Sequence, residues 1–213
     1  VEAEVVRPLL PAGLHVQTYD GVAWIGLVPF MMEDVRVPPF PALPRWSTFP
    51  EVNLRTYVRH GDGSEGVWFL RLWSTRRTVN LALRQAGLPY RRARTSIEPA
   101  GPDTLAYSAD PACGATPLRL RAVVRAEEAI VVPTPLENWL TARWNAYATR
   151  AGHVWRVPID HGPWPLRRAT VTSLETDVFE VLGLPEPADE PLAHASRGVR
   201  AAIGVPRPTG SSH

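Results

Sequence analysis

Proline constrains this chain more than any other residue. There are 23 in 213 residues, about twice the usual share of ~5%. They are spread along the chain instead of being gathered in one tract. A proline inside a helix removes a hydrogen bond and clashes with the preceding turn, and inside a sheet it removes a ladder donor. A chain cut this often reads as many short strands joined by turns, not as a helical bundle. Its length fits one domain of good size or two small ones, and it is long enough to bury a core without staples.

The local signals agree. Residues 3–10 read as a short helix ended by Pro11-Ala12-Gly13. Strands over 15–19 and 22–32 flank Asp20-Gly21, a strong hairpin signal. Residues 33–50 are proline-rich and read as an irregular connection. Residues 51–60 and 67–73 read as a hairpin about the turn 61–66. A helix from Ser74 to about residue 86 stops at Gly87, with Pro89 beyond. Strands are expected over 91–98, 104–109 and 118–126. Thr134-Pro135-Leu136-Glu137 is a capping box with proline at the first helical position. The helix it opens is expected to reach about residue 149, with Trp139, Arg143 and Tyr147 on one stripe. Strands over 152–159 and 167–174, a helix over 175–182 and a last strand over 197–205 complete the pattern. There is no repeat and no linker. The expectation is one α+β domain over 1–205, mainly antiparallel β with three or four helices packed on it, and a disordered tail over 206–213.

Composition removes whole classes of chemistry. All 23 basic residues are arginine; there is no lysine. A guanidinium stays protonated, so no side chain here can form a Schiff base. The net charge of +2 is scattered in small arginine clusters, without the continuous basic face that nucleic-acid binding wants. No apolar run approaches the ~20 residues that span a bilayer, so no membrane is expected among the partners. The lone Cys113 cannot form an internal disulfide. The opening residues VEAEVVRPLL lack the form of a signal peptide, and a cytoplasmic location is expected. No phosphate-binding glycine loop, nucleophile elbow or zinc-ligand spacing occurs. Neither a metal nor a cofactor is therefore expected.

One strand carries the chemistry. In Glu51-Val52-Asn53-Leu54-Arg55-Thr56-Tyr57-Val58 the odd positions are an acid, an amide, a guanidinium and a phenol, while the even positions are mainly apolar. Side chains alternate across a strand, so the polar four share one face. That face either meets water, as on the open side of any antiparallel sheet, or lines a cavity. The partner strand, Gly66-Val67-Trp68-Phe69-Leu70-Arg71-Leu72-Trp73, is apolar on both faces apart from Arg71. A strand of that kind is buried on both sides, which favours enclosure of its neighbour's polar row. A buried Glu51 would then need a partner such as Arg55 or Arg71.

Taken in order, GLHVQTYDGVAWIGLVPFMM, FPEVNLRTYVR, GVWFLRLW, AGLPYRRARTS and HGPWPLRRATV resemble the YqjF-like family of uncharacterised bacterial proteins. The resemblance runs through about residues 9–205. That family is grouped with the acetoacetate decarboxylase-like fold. The resemblance implies a strongly curved sheet, forming a cone or near-closed barrel around a small-molecule pocket, with the 51–57 row on its wall. Acetoacetate decarboxylase uses a lysine from a Pro-Lys-Lys motif. Leu88-Pro89-Tyr90-Arg91 corresponds here, so Tyr90 stands where the reactive lysine would be. Schiff-base decarboxylation is excluded by the absence of lysine. Relatives carry a pattern like Ser-Leu-Asp-Ala after the GVWF-like strand, where this chain has Arg71-Leu72-Trp73-Ser74. If Phe69, Arg71 and Trp73 point inward, the pocket differs in charge and volume.

The resulting expectation is a pocket protein acting on an acidic or carbonyl-containing small molecule. It would use non-covalent acid–base chemistry of a lyase, dehydratase or cyclase kind. Glu51 would move the proton, Arg55 would bind a carboxylate or enolate oxygen, and Tyr57 and Tyr90 would donate to an oxyanion. Asn53, Phe69, Arg71, Trp73 and His161 would line the substrate site; His161, before Pro163, also reads as a turn residue. The alternative is a non-catalytic binding protein or sensor with the same pocket, in which Glu51 and Arg55 pair with each other. A homodimer fits proteins of this class.

Overall fold

The computed structural model describes residues 1–35, 47–85, 87–112, 119–187 and 189–210. Cys113 and most of the proline-rich connection lie outside them. The chain opens with a single helical turn, α1 (Ala3–Val6), that tightens into a 3-10 turn at Arg7–Leu9. Next come β1 (Leu14–Val16), β2 (Thr18–Tyr19) and β3 (Val22–Ala23). Asp20 and Gly21 both take positive φ and join β2 to β3, as the Asp-Gly signal predicts. There follow β4 (Ile25–Met32), β5 (Phe49–His60), β6 (Glu65–Ser74), α2 (Arg77–Gln85), β7 (Tyr90–Gly101), β8 (Thr104–Pro111) and β9 (Leu120–Ala129). The last part holds α3 (Pro135–Thr141), β10 (Asn145–Arg150), β11 (His153–His161), β12 (Leu166–Thr176), α4 (Val178–Val181), β13 (His194–Ser196), β14 (Ala201–Ile203) and β15 (Arg207–Pro208).

β5 and β6 form the spine. One edge of β5 takes β4 along its first half and β1 at its end, and the other edge takes β6. The far edge of β6 is shared. β10 pairs with it in parallel at Val67 and Trp68, and β7 in parallel at Leu72–Ser74. The sheet therefore forks at β6. One wing runs β7–β8–β9–β12–β13, the other β10–β11 with β14 and β15 beyond. The path ends on β13 and β14, which do not pair with each other. Here the sequence expectation needs correction: the class is α+β and mostly strands, but the sheet is open and does not close into a cone or barrel. Of the four α-helices among the described residues, the longest, α2, has nine residues.

The expected helix over 134–149 is also corrected. Its start holds: Thr134 Oγ1 accepts from the Glu137 N–H at 3.2 Å, and Glu137 Oε2 accepts from the Thr134 N–H at 2.6 Å. The helix ends at Thr141, whose hydroxyl donates to the Glu137 carbonyl. Residues 145–150 are instead a strand, turned onto β11 by Ala151 and Gly152, both at positive φ. An Ala-Gly turn gives no strong sequence signal, and tertiary pairing overrode the helical spacing. Arg143 and Tyr147 thus leave the Trp139 helix. The expected helix over 175–182 shortens to α4, because residues to Thr176 pair with β9. At the end, β15 pairs with Trp155 and Arg156, and Thr209 bonds the Val154 carbonyl through its N–H and its hydroxyl. This pairing falls within the stretch expected to be disordered.

The two faces of the spine bury different clusters. Val52, Leu54, Leu70 and Trp73 pack with Ala93, Ala109, Leu120 and Val178. On the other face Tyr57, Val67 and Ala146 pack with Trp24, Phe69 and Trp139. No helix among the described residues is long and apolar enough to cross a membrane.

Candidate active site

Alternation along β5 places Glu51, Asn53, Arg55 and Tyr57 on one face, as the sequence predicts. That face is enclosed except at Arg55. Glu51 is 3% exposed, Asn53 and Tyr57 are equally enclosed, and Arg55 is half-buried. The opposite face, Val52, Leu54, Thr56 and Val58, is buried too.

The register explains how Tyr90 joins the row. Leu72 lies opposite Asn53 on one side and opposite Tyr90 on the other, so Tyr90 shares the face of Glu51. The Tyr90 hydroxyl donates to Glu51 Oε2 at 2.6 Å. Burial pushes the Glu51 carboxyl from 4.5 up to about 7, with the Tyr90 hydrogen bond working in the opposite sense. The Tyr90 phenol is pushed well above its ordinary value, first by burial and then by the Glu51 charge and hydrogen bond. The expected ion pair with Arg55 or Arg71 is replaced by this neutral donor. Four residues of extended chain separate the Glu51 and Arg55 backbones by about 13 Å. No carboxylate among the described residues forms an ion pair with Arg55 or Arg71.

Arg55 instead groups with Tyr57. It lies opposite Gly26 of β4. A Cβ at Gly26 would sit 3.5 Å from both Arg55 Nε and the Tyr57 hydroxyl oxygen, so the bare glycine lies under both groups. Arg55 Cζ is 5.9 Å from the Tyr57 ring centroid. Among the described residues, the buried Arg55 Nε and Asn53 Oδ1 have no hydrogen-bond partner.

Arg143 completes this end of the row. Its Cζ lies 5.1 Å from the Tyr57 ring centroid and 4.3 Å from that of Trp139. Its guanidinium donates to the Trp139 carbonyl, to Gln17 Oε1 at 2.8 Å and to Glu65 Oε2 at 3.3 Å. Burial lowers its pKa. Sequence reasoning gave Arg143 no place in the site; its one signal was the spacing of four from Trp139. Trp139 packs 4.8 Å from the Tyr57 ring and also lines a cavity of about 440 Å³ with His15, Gln17, Arg59 and Glu65. Glu51 does not line that cavity.

Three expected lining residues are divided by a β-bulge. The β5–β6 register slips between Leu54 and Arg55, so Leu54 faces Arg71 while Arg55 faces Phe69. Phe69 therefore shares the polar row's face. Arg71 and Trp73 lie on the opposite face, and Trp73 is buried among Val52 and Leu54. Burial and the neighbouring Arg91 lower the Arg71 pKa. His161 sits at the end of β11. Its ring nitrogens meet the Gly162 and Arg143 carbonyls, and its ring packs against Trp144 and Trp164. No group of three or more His, Cys, Asp or Glu converges as metal ligands among the described residues.

Comparison with known proteins places this geometry in context. Residues 1–200 match the family DUF2071, described as an uncharacterized conserved protein. The chain is 32% identical over 204 residues to the uncharacterized protein YqjF of Bacillus subtilis (strain 168), covering 92% of this chain and 81% of that one. Three solved structures share the fold. The enduracididine biosynthesis enzyme MppR complexed with pyruvate has a TM-score of 0.59 and 12% identity, over 98% of this chain and 84% of that one. The acetoacetate decarboxylase of Legionella pneumophila gives 0.59 and 13%, over 98% and 81%. An acetoacetate decarboxylase-like enzyme from Sphingomonas wittichii RW1 gives 0.57 and 15%, over 99% and 87%. At these identities the likeness is one of fold.

Proposed function

The chain belongs to the DUF2071 family, and from that premise we propose a small-molecule pocket protein that performs acid–base chemistry on a keto or carboxylic acid. The observation that carries this reading is the buried Glu51–Tyr90 pair, with a carboxyl poised at about 7. A group that titrates near the working pH can both take and return a proton. Tyr90 orients the carboxylate as it accepts a proton from carbon. Once Glu51 is protonated, the phenol is free to donate to the enolate oxygen. Arg55, which has no acidic partner among the described residues, binds the carboxylate at the Tyr57 end. The MppR structure holds pyruvate, which makes short keto acids the first class to test. With no lysine in the chain, the chemistry proceeds without a Schiff base.

The test is deuterium exchange at carbon next to the carbonyl in a panel of keto acids, followed by proton NMR, with crystal soaks of the same compounds. Exchange by the wild type that is lost in Glu51→Gln, with density beside Arg55, supports the reading. Equal rates in both proteins overturn it. The near-complete enclosure of Glu51 favours one second reading, a binding protein or sensor without turnover. Ligand density beside Arg55 without exchange selects it.

A further inference from the structure

Arg59 carries the alternation of β5 one step past Tyr57, on the same face. His15 of β1 is paired with it on one side and Glu65 of β6 on the other. Three polar side chains therefore form one rung across three strands. The next rung holds Gln17, whose backbone N–H donates to the Tyr57 carbonyl at 2.9 Å. Trp139 of α3 stands against the Tyr57 ring beside these rungs. Together they border the cavity of about 440 Å³. That volume suits a small organic molecule.

The side chains of this wall offer donors, and their one carboxylate is spent. Glu65 Oε1 accepts from Arg59 Nη2 at 2.8 Å and Glu65 Oε2 from Arg143 Nη1 at 3.3 Å. A single negative charge thus serves two guanidiniums. Gln17 is 7% exposed. Arg143 can only donate, so it fixes the Gln17 amide with Oε1 turned toward it, at 2.8 Å. The Gln17 NH2 is left without a hydrogen-bond partner among the described residues, yet the protein does not seal it in. It therefore opens on the cavity that Gln17 lines. The His15 ring and the Thr18 hydroxyl, on the same wall, also have no side-chain hydrogen bond among the described residues.

We propose that this cavity binds a small organic carboxylate. Free donors facing a site whose own acid is already engaged call for an acceptor, and an excess of guanidinium calls for an anion. The carboxylate takes the Gln17 NH2 and the N–H groups of Arg59 that Glu65 leaves free. Its apolar body lies against Val16 and Trp139, the apolar part of the wall. Glu65 competes with the ligand for Arg59 and so sets how tightly it is held. Binding here needs no turnover at Glu51, so the site stands apart from the acid–base reading.

Titration of the full chain with benzoate at constant ionic strength, followed by proton–nitrogen NMR, tests the site, with benzamide as the uncharged control. Saturable shifts are expected at the Gln17 side-chain NH2 and at the backbone amides of His15 to Thr18, and none with benzamide. Arg59→Gln is expected to weaken benzoate by about tenfold. Glu65→Gln, which frees Arg59, is expected to tighten it by about threefold. Arg59 and Glu65 are exposed, and the amide spectrum of each variant reports its folding. Absence of saturable shifts overturns the proposal, and so does benzamide binding as tightly as benzoate. Shifts at Asn53 and Tyr90 in place of those at Gln17 put the anion in the Glu51 row and also overturn it. So does a Glu65→Gln variant that binds benzoate more weakly, since Glu65 is then no competitor.

Discussion

Glu51 gives the protein a thermodynamic signature that can be measured without knowing any substrate. Its carboxyl titrates at about 7 in the folded chain, against 4.5 when free of the fold. Between those values the folded state holds a proton that the unfolded chain has released. Stability therefore falls as pH rises, by about 1.4 kcal/mol per unit. The contribution is fully present below 4.5 and lost once pH has passed about 7. Over that interval it amounts to about 3 kcal/mol. Glu51→Gln keeps the shape and an oxygen to accept from Tyr90, but it cannot ionise. Urea unfolding of both proteins, followed by tryptophan fluorescence at a series of pH values, isolates the effect. The six histidines and the other acids are common to both and cancel in the difference. From pH 4.5 to pH 8 the variant is expected to gain about 3 kcal/mol on the wild type. A difference that stays flat refutes the burial argument. A difference that moves toward the wild type means that a positive group holds Glu51 ionised.

Two other substitutions probe the same architecture. Tyr90→Phe removes the hydrogen bond that lowers the Glu51 pKa, so carboxyl-carbon NMR is expected to show Glu51 titrating at a higher pH than in the wild type, with about 1–2 kcal/mol lost at neutral pH; an unmoved midpoint refutes the contact. Gly66→Ala places a Cβ 2.5 Å from the Asn145 carbonyl oxygen and 2.9 Å from the Tyr147 ring, and is expected to cost about 2 kcal/mol or more, seen as a lower melting temperature with β10 amides exchanging first.

Local patterning made some of this legible. The period of two in β5 set Glu51, Asn53, Arg55 and Tyr57 on one face and Val52, Leu54, Thr56 and Val58 on the other, because side chains alternate along a strand. The Asp20-Gly21 turn and the Thr134–Glu137 capping box were legible because each is satisfied within a few residues. Other features depend on contacts far away in the chain. The slip at Leu70, which sends Arg71 and Trp73 to the face opposite Phe69, depends on how β6 meets β5, not on residue types in β6. The departure of Arg143 from a helix follows from the pairing of β10 with β6, and no residue near 143 announces it. The Tyr90–Glu51 bond arises because β7 returns parallel to β6. Burial lifts the Glu51 pKa, and burial is a property of the assembled sheet. Closure of the sheet was expected from the resemblance alone; no residue pattern required it.

The fork at β6 has a consequence in time. β7 reaches β6 after a loop of about 20 residues, whereas β10 must return across about 80, which costs about 1 kcal/mol more in chain entropy at closure. Loop closure alone favours docking of the nearer wing, which brings Tyr90 to Glu51, ahead of β10. Only when β10 arrives do Ala146 and its neighbours cover the Tyr57 end of the row. The two ends of the polar row thus depend on strands that close loops of very different length, the Glu51 end on β7 and the Tyr57 end on β10.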